Sequence, residues 1–257
     1  MIFVPFVVDF GCAALECFPV ADNRAWPNLG RMLHVEDLFD LTHTKHAALF
    51  EGCARAWEVL TRLEAYLAAN ARSSLANRCD GVAFIGDKVT IGPGSVVEDG
   101  AMIKGPAIIG SNCTVRHNAY IRENVVIGDG CLVGNSCEIK NSILFDNVQV
   151  PHFNYVGDSV LGYRSHLGAG VKVSNFKLDG THVFVEWDGQ RIDTGLRKFG
   201  VLLGDQAEVG CNAVLNPGSI VGKRSMIYPN VNWRGILPAD SIAKNRAQVD
   251  VTPRTAR

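Results

Sequence analysis

The sequence predicts an all-β fold, a parallel β-helix of hexapeptide repeats, and three observations carry that prediction. An aliphatic or aromatic residue occupies every sixth position at Ile85, Ile91, Val97, Ile103, Ile109, Val115, Ile121, Ile127, Val133, Ile139 and Phe145. Four residues after these runs a second, mostly small series: Val89, Ser95, Ala101, Ala107, Cys113, Ala119, Val125, Cys131 and Cys137. The position after the large residue is often glycine (Gly86, Gly92, Gly110, Gly128, Gly134), which opens backbone conformations closed to other residues at a corner. A period of six is neither the 3.6 of an α-helix nor the simple alternation of a strand.

Length and composition set the outer bounds. A chain of 257 residues with 47% hydrophobic residues has ample material for a core, and a formal net charge of -1 lacks the basic footprint of a nucleic-acid-binding domain. No apolar run approaches the roughly 20 residues needed to span a bilayer. The opening MIFVPFVVDF has no basic leader and is interrupted by Asp9, so it is read as something other than a signal peptide, and a cytoplasmic protein is expected. Of the eight cysteines, Cys113, Cys131 and Cys137 fall on the small inward series and read as small buried hydrophobes. Cys12, Cys17, Cys53 and Cys79 form no CxxC pair, and no metal site is expected.

The chain divides into an N-terminal extension, residues 1–80, and a hexapeptide-repeat domain, residues 81–257. Residues 1–36 show no period, and Trp26-Pro27-Asn28 reads as a turn. From about Val35 to Asn77 apolar residues recur at helical spacing, with Leu49, Cys53, Ala56, Leu60, Leu63 and Leu67 on one face. Two helices are expected, with Asp37 and Thr42 as N-caps, packed across the open first coil. The hexads then run to Asn147–Asp158, NVQVPHFNYVGD, where the beat stumbles, and resume two residues out of phase at Leu161, Leu167 and Val173. Residues 176–200 leave the coil. Within them THVFVEWDGQRIDTG alternates like a hairpin around Asp188-Gly189, a pair suited to a type I′ turn. Hexads return at Leu203, Val209, Leu215, Val221 and Ile227, and VDVTPRTAR reads as a frayed or exchanged tail.

Candidate chemistry gathers around the stumble. In a coil of three hexads, residues 18 apart stack about 4.8 Å from each other, and Arg122 and Lys140 have that spacing. They are either two solvated cations on a polar face or a pair bridged by a bound anion. His152, inside the broken stretch, is either a structural residue or a general base, since its unperturbed pKa of about 6.5 lets it take a proton near neutrality.

The segment from Tyr120 to Gly180 resembles the acetyltransferase domain of the bifunctional UDP-N-acetylglucosamine pyrophosphorylase / glucosamine-1-phosphate N-acetyltransferase family, bacterial and archaeal. The likeness extends over roughly residues 85 to 245. It rests on the HxxYxGD motif at His152, Tyr155, Gly157 and Asp158, on LGAG at Leu167 to Gly170, and on Asn175. The resemblance implies a left-handed β-helix, a homotrimer with sites between subunits, and acetyl transfer from acetyl-CoA, a co-substrate, to the amine of a phosphorylated amino sugar such as glucosamine 1-phosphate. It implies that His152 is the general base. Arg122 and Lys140 would bind the sugar phosphate, Tyr155 the substrate, Asn175 both the amino sugar and the thiol end of acetyl-CoA, and Lys198 would come across a subunit boundary. Ala169, Phe176 and Cys211 would lie along the cofactor. The chain departs from the family's pattern at Phe176 (usually tyrosine), His166 (asparagine) and Cys211 (serine), which leaves the amino sugar open. The LxxGxGTRM segment of a nucleotidyltransferase half is missing from the N-terminal extension, so uridylyl transfer is not expected. A non-catalytic sugar-phosphate or nucleotide-sugar binding β-helix is the other reading.

Overall fold

The inward series dictates the architecture. The computed structural model describes residues 33–75, 78–245 and 252–253; the turn expected at Trp26-Pro27-Asn28 and most of the C-terminal tail lie outside them. Short parallel strands stack into two nine-stranded walls and one eight-stranded wall, and successive strands of the chain pass from wall to wall around a triangular prism. The result is the hexapeptide-repeat β-helix expected from the sequence.

Three columns of side chains define the prism. On the first wall Ile91, Ile109, Ile127, Leu144, Leu161, Leu203, Val221 and Leu237 pair in register. On the second the column is Val97, Val115, Val133 and Val150, continuing with Leu167, Val209 and Ile227. On the third it is Ile85, Ile103, Ile121, Ile139 and Val156, then Val173 and Leu215. All but Ile85 are buried, and the small series fills the corners, including Cys113, Cys131 and Cys137 as buried free thiols.

The register corrects the position of the stumble. Val125 pairs with Ala107 on one side, a full coil back, and with Ser142 on the other, one position short of a full coil. Leu144, not Phe145, therefore carries the beat, and Val150 and Val156 continue it in phase through the stretch that looked broken. A second residue is lost before Leu161, whose pairing with Leu144 again falls one position short of a full coil. The two shortened hexads turn the same corner, from the third wall to the first, one at Asn141 and the next at Asp158, and both residues have positive φ (43° and 51°). Asparagine and aspartate tolerate that conformation better than other side chains.

Pro151 lies within the strand Gln149–His152, which pairs with Leu132–Asn135. A side chain on Gly134 would collide with the Pro151 carbonyl, so glycine is required opposite the proline.

The N-terminal segment is less helical than its periodicity predicts. It holds the α-helices Val35–Leu38 and Leu63–Asn70, joined by 3₁₀ turns at Leu41–His43, Ala47–Phe50 and Ala56–Thr61. Gly52 at φ 69° ends the expected long helix. Asp37 lies inside the first helix rather than capping it, and Asp40, not Thr42, caps the first 3₁₀ turn by accepting from the Thr42 N–H. The burial expectation fares better, with Leu49, Ala56, Leu60, Leu63 and Leu67 all buried.

This segment clads the first wall along its length rather than closing the end. Asp205 accepts from the Asp40 N–H at 2.7 Å and its own N–H donates to the Leu38 carbonyl, while the Asp146 N–H donates to the His43 carbonyl. His43 stacks on Tyr163 at 3.6 Å, Trp57 approaches Phe199 at 6.2 Å, and Lys45 pairs with Asp129 at 2.6 Å. Phe145, one residue past the beat where the other coils of this column have Gly110, Gly128, Gly162 and Gly204, sends its ring outward to Phe39 (5.2 Å) and Phe50 (5.5 Å).

The excursion behaves as its alternation predicts. Phe184–Trp187 and Gln190–Asp193 form an antiparallel hairpin, and Asp188 and Gly189 both have positive φ, as a type I′ turn requires.

Candidate active site

The outer face of the third wall carries, coil by coil, Phe84, Met102, Tyr120, Glu138, Tyr155 and Lys172. Where this wall meets the shortened corners, Arg122, Lys140, Tyr155, Asn175, Phe176 and Lys198 line one recess of about 410 Å³. Six of the nine residues singled out in the sequence thus converge on one place.

Arg122 and Lys140 do share a corner, yet they differ electrically. The Arg122 guanidinium donates to Glu138 at 2.9 Å and to Glu123 at 3.3 Å. The hydrogen bond to Glu138 raises the Arg122 pKa above its already high value. Burial favours the neutral form of Glu123, but its own backbone N–H, Arg122, Lys104 and Lys140 outweigh that and hold its pKa below the usual range. Among the described residues neither Lys140 nor Lys198 forms a salt bridge, although Lys140 acts on the Glu123 carboxylate from a distance.

Lys198 lines the same recess within the chain. The reason is local: Phe176 and Lys198 form an antiparallel bridge, and the Phe199 N–H donates to the Asn175 carbonyl at 2.9 Å, closing the base of the excursion.

Tyr155 and Asn175 meet above Gly157. The Asn175 amide Nδ2 donates to the Tyr155 hydroxyl at 3.3 Å and to a carboxylate oxygen of Asp158. A side chain on Gly157 would sit 2.6 Å from that nitrogen and 2.7 Å from the tyrosine oxygen, which is why this position has none. Burial raises the Tyr155 pKa, so the phenol stays protonated.

His152 stands elsewhere, at the edge between the second and third walls. Gln149 pairs with His166 and His166 with Glu208, and counting on equally from each of these reaches His152, Ala169 and Cys211, so the three occupy one edge on successive coils. The Gly170 N–H donates to the His152 carbonyl and the Asn212 N–H to the Ala169 carbonyl, both at 2.9 Å. The His152 ring makes no hydrogen bond or ion pair with the described residues, and Tyr155 lies three positions further along the chain, at most about 11 Å away between Cα atoms. Phe153 between them holds φ at 54°, an unfavourable conformation for a bulky residue that clusters at functional sites.

Three residues were not anticipated. Asn154 falls on the small inward series, is 2% exposed, accepts from the His152 N–H at 3.1 Å and donates to the Gly168 carbonyl at 2.7 Å. Its signal was phase: a polar residue where the other coils have alanine, cysteine or valine. Glu123 and Glu138, the partners of Arg122, gave no such signal. Among the described residues no group of three or more His, Cys, Asp or Glu side chains is placed to hold a metal ion, and no helix is long and apolar enough to cross a membrane.

A triangular coil of short parallel strands defines the class, a parallel β-helix of hexapeptide repeats. Within it the chain resembles the acetyltransferase domain of the bifunctional sugar-1-phosphate nucleotidylyltransferase/acetyltransferases. Residues 103–189 match the family model described as the GMPPB C-terminal domain. The bifunctional sugar-1-phosphate nucleotidylyltransferase/acetyltransferase of Sulfurisphaera tokodaii is 36% identical over 88 residues, 34% of this chain and 22% of that protein. The bifunctional protein GlmU of Methanococcus maripaludis is 31% identical over 111 residues, 43% of this chain and 27% of that one. The matches thus span about a quarter of the length of these curated relatives. Among solved structures, the polySia specific acetyltransferase NeuO aligns with 71% of this chain and 89% of its own at 18% identity and a TM-score of 0.31. An Arabidopsis UDP-N-acetylglucosamine acyltransferase aligns with 66% and 70% at 13% identity and a TM-score of 0.38.

Proposed function

We propose that the protein is an acyl-CoA-dependent N-acyltransferase that moves an acetyl group from acetyl-CoA to the amine of a phosphorylated amino sugar, glucosamine 1-phosphate being the first candidate. The observation that carries the reading is the convergence of Lys140, Lys198 and Arg122 with Tyr155 and Asn175 in one recess. Two ammonium groups without a salt-bridge partner suit a phosphate dianion, and charge-assisted hydrogen bonds are roughly twice as strong as neutral ones. The edge of His152, Ala169 and Cys211 supports a path for the acyl donor, along which backbone groups of successive coils are offered.

In this reading the sugar phosphate binds on the third wall with its amine toward the His152 edge. The imidazole of His152 takes a proton as the amine nitrogen attacks the thioester carbonyl. A backbone N–H steadies the oxyanion, and the tetrahedral intermediate collapses by releasing the CoA thiolate, which is then protonated. No metal or covalent enzyme intermediate enters. A homotrimer would place further groups beside the His152 edge.

General-base catalysis contributes about 10² to 10⁴-fold, so His152→Ala should lower kcat by that order with an unchanged melting temperature. Wild-type turnover in that variant would remove His152 from its role. The position of His152 outside the recess favours a second reading, a β-helix that binds a sugar phosphate without acting on it. Calorimetric titration separates the two: binding of acetyl-CoA supports transfer, and binding of glucosamine 1-phosphate without any binding of acetyl-CoA supports the second reading.

A further inference from the structure

The recess is held by a residue that does not line it. Asp158 is 5% exposed and sits in the second shortened corner at φ 51°. One carboxylate oxygen accepts from the Asn141 side-chain amide at 2.8 Å and the other from Asn175. Its N–H donates to the Lys140 carbonyl at 3.0 Å, and its carbonyl accepts from the Gly200 N–H at 2.8 Å. One residue therefore joins the strand that carries Lys140, the exit of the excursion at Asn175 and its return at Gly200.

The donors and acceptors can be counted. A carboxylate only accepts, so the Asn175 atom facing Asp158 must be the NH₂. Its two hydrogens are then committed, one to Asp158 and one to the Tyr155 oxygen. What Asn175 has left for a ligand is its carbonyl oxygen, an acceptor. Tyr155 already accepts from Asn175, so its own O–H is left to donate.

We infer that Asp158 is a positioning residue that fixes the Asn175 amide with its carbonyl oxygen toward the ligand, so that the recess selects a molecule offering an N–H or O–H donor next to an anionic group. This rests on the amino-sugar-phosphate reading above and adds the polarity of the contact. The charge on Asp158 is what fixes it: a neutral amide at 158 could pair with either end of Asn175, and the recess would lose its preference.

Asp158→Asn tests this with little change in volume. Removing a hydrogen bond to a charged group is worth about 10- to 100-fold, so kcat/KM for glucosamine 1-phosphate should fall by that factor, the KM for acetyl-CoA should stay within about twofold, and Asp158→Glu should restore part of the loss. An unchanged kcat/KM would overturn the inference, as would an equal loss toward both substrates. The ligand-free protein supplies a measurement independent of activity and of the proposed reaction. The Asn175 side-chain amide, assigned through Asn175→Ala, should show one downfield N–H signal in the wild type that disappears in Asp158→Asn. If the wild type transfers no acetyl group yet shows that signal, the reaction proposed above falls and the clamp stands. If the wild type acetylates the sugar but the signal is absent, the clamp falls alone. Should Asp158→Asn fail to fold, the wild-type signal and Asn175→Asp decide. Asn175→Asp puts two carboxylates in contact and should melt at a lower temperature at pH 8 than at pH 5 by more than the wild type does, and an identical pH response would overturn the inference.

Discussion

The first and third walls of the prism are built on inward columns of the same kind and contrast in what faces out. On the first wall the outward residues are Ile108, Val126, Ile143, Val160, Leu202 and Ile220, and all but Ile108 are fully buried beneath the N-terminal segment. On the third they are Met102, Tyr120, Glu138, Tyr155 and Lys172, partly or fully exposed, with the recess at their edge. A coil of hexads is thus a neutral scaffold: inward residues make it stand, and outward residues assign each wall its use.

The comparison can be broken at several strengths. Ile127→Asp places an unpaired charge among inward residues of a wall buried on both faces, and soluble folded protein should not be recovered. Circular dichroism of a folded I127D variant would show the hexad phase to be wrong. Ile143→Ala removes an outward side chain of the first wall that is 0% exposed, and should cost about 2–5 kcal/mol in denaturant unfolding, as core truncations do. A loss near zero would mean that the N-terminal segment does not depend on that wall. Lys140→Ala, on the third wall, should leave the denaturation midpoint alone and raise the KM for the phosphorylated amino sugar about 10- to 100-fold. A shifted midpoint with unchanged KM would reverse the roles assigned to the two walls. Met102→Ala is the smallest change: an outward position equivalent to Ile143 but 38% exposed, where truncation should alter the melting temperature little.

Much of this is written in the chain. The aliphatic doublets Ile108-Ile109, Val126-Ile127, Ile143-Leu144, Val160-Leu161, Leu202-Leu203 and Ile220-Val221 recur every coil and mark the one wall that is apolar on both faces. That signal predicts a covering element, and the helical spacing of Leu49, Ala56, Leu60, Leu63 and Leu67 supplies it. The same spacing overstates the helices, because burial on one face needs only the right spacing of side chains, which short 3₁₀ turns broken at Gly52 also provide. The true position of the stumble is hidden in the sequence because Leu144 and Phe145 are both large and apolar. Only pairing with Ile127 shows which one points inward.

The sequence by itself determined the coil, its three walls and the stacking of Arg122 with Lys140, because a strict repeat converts position along the chain into position in space; Tyr155 and Asn175 joined them through the family resemblance. What tertiary structure decided is everything that depends on partners distant in sequence. It paired Arg122 with Glu138 and left Lys140 and Lys198 without a salt bridge. It set His152, Ala169 and Cys211 on an edge apart from the recess. It also turned Asp158 inward to hold Asn175. Hydrogen bonds and ion pairs form between atoms a few ångströms apart, and two lost residues at one corner are enough to change which atoms those are.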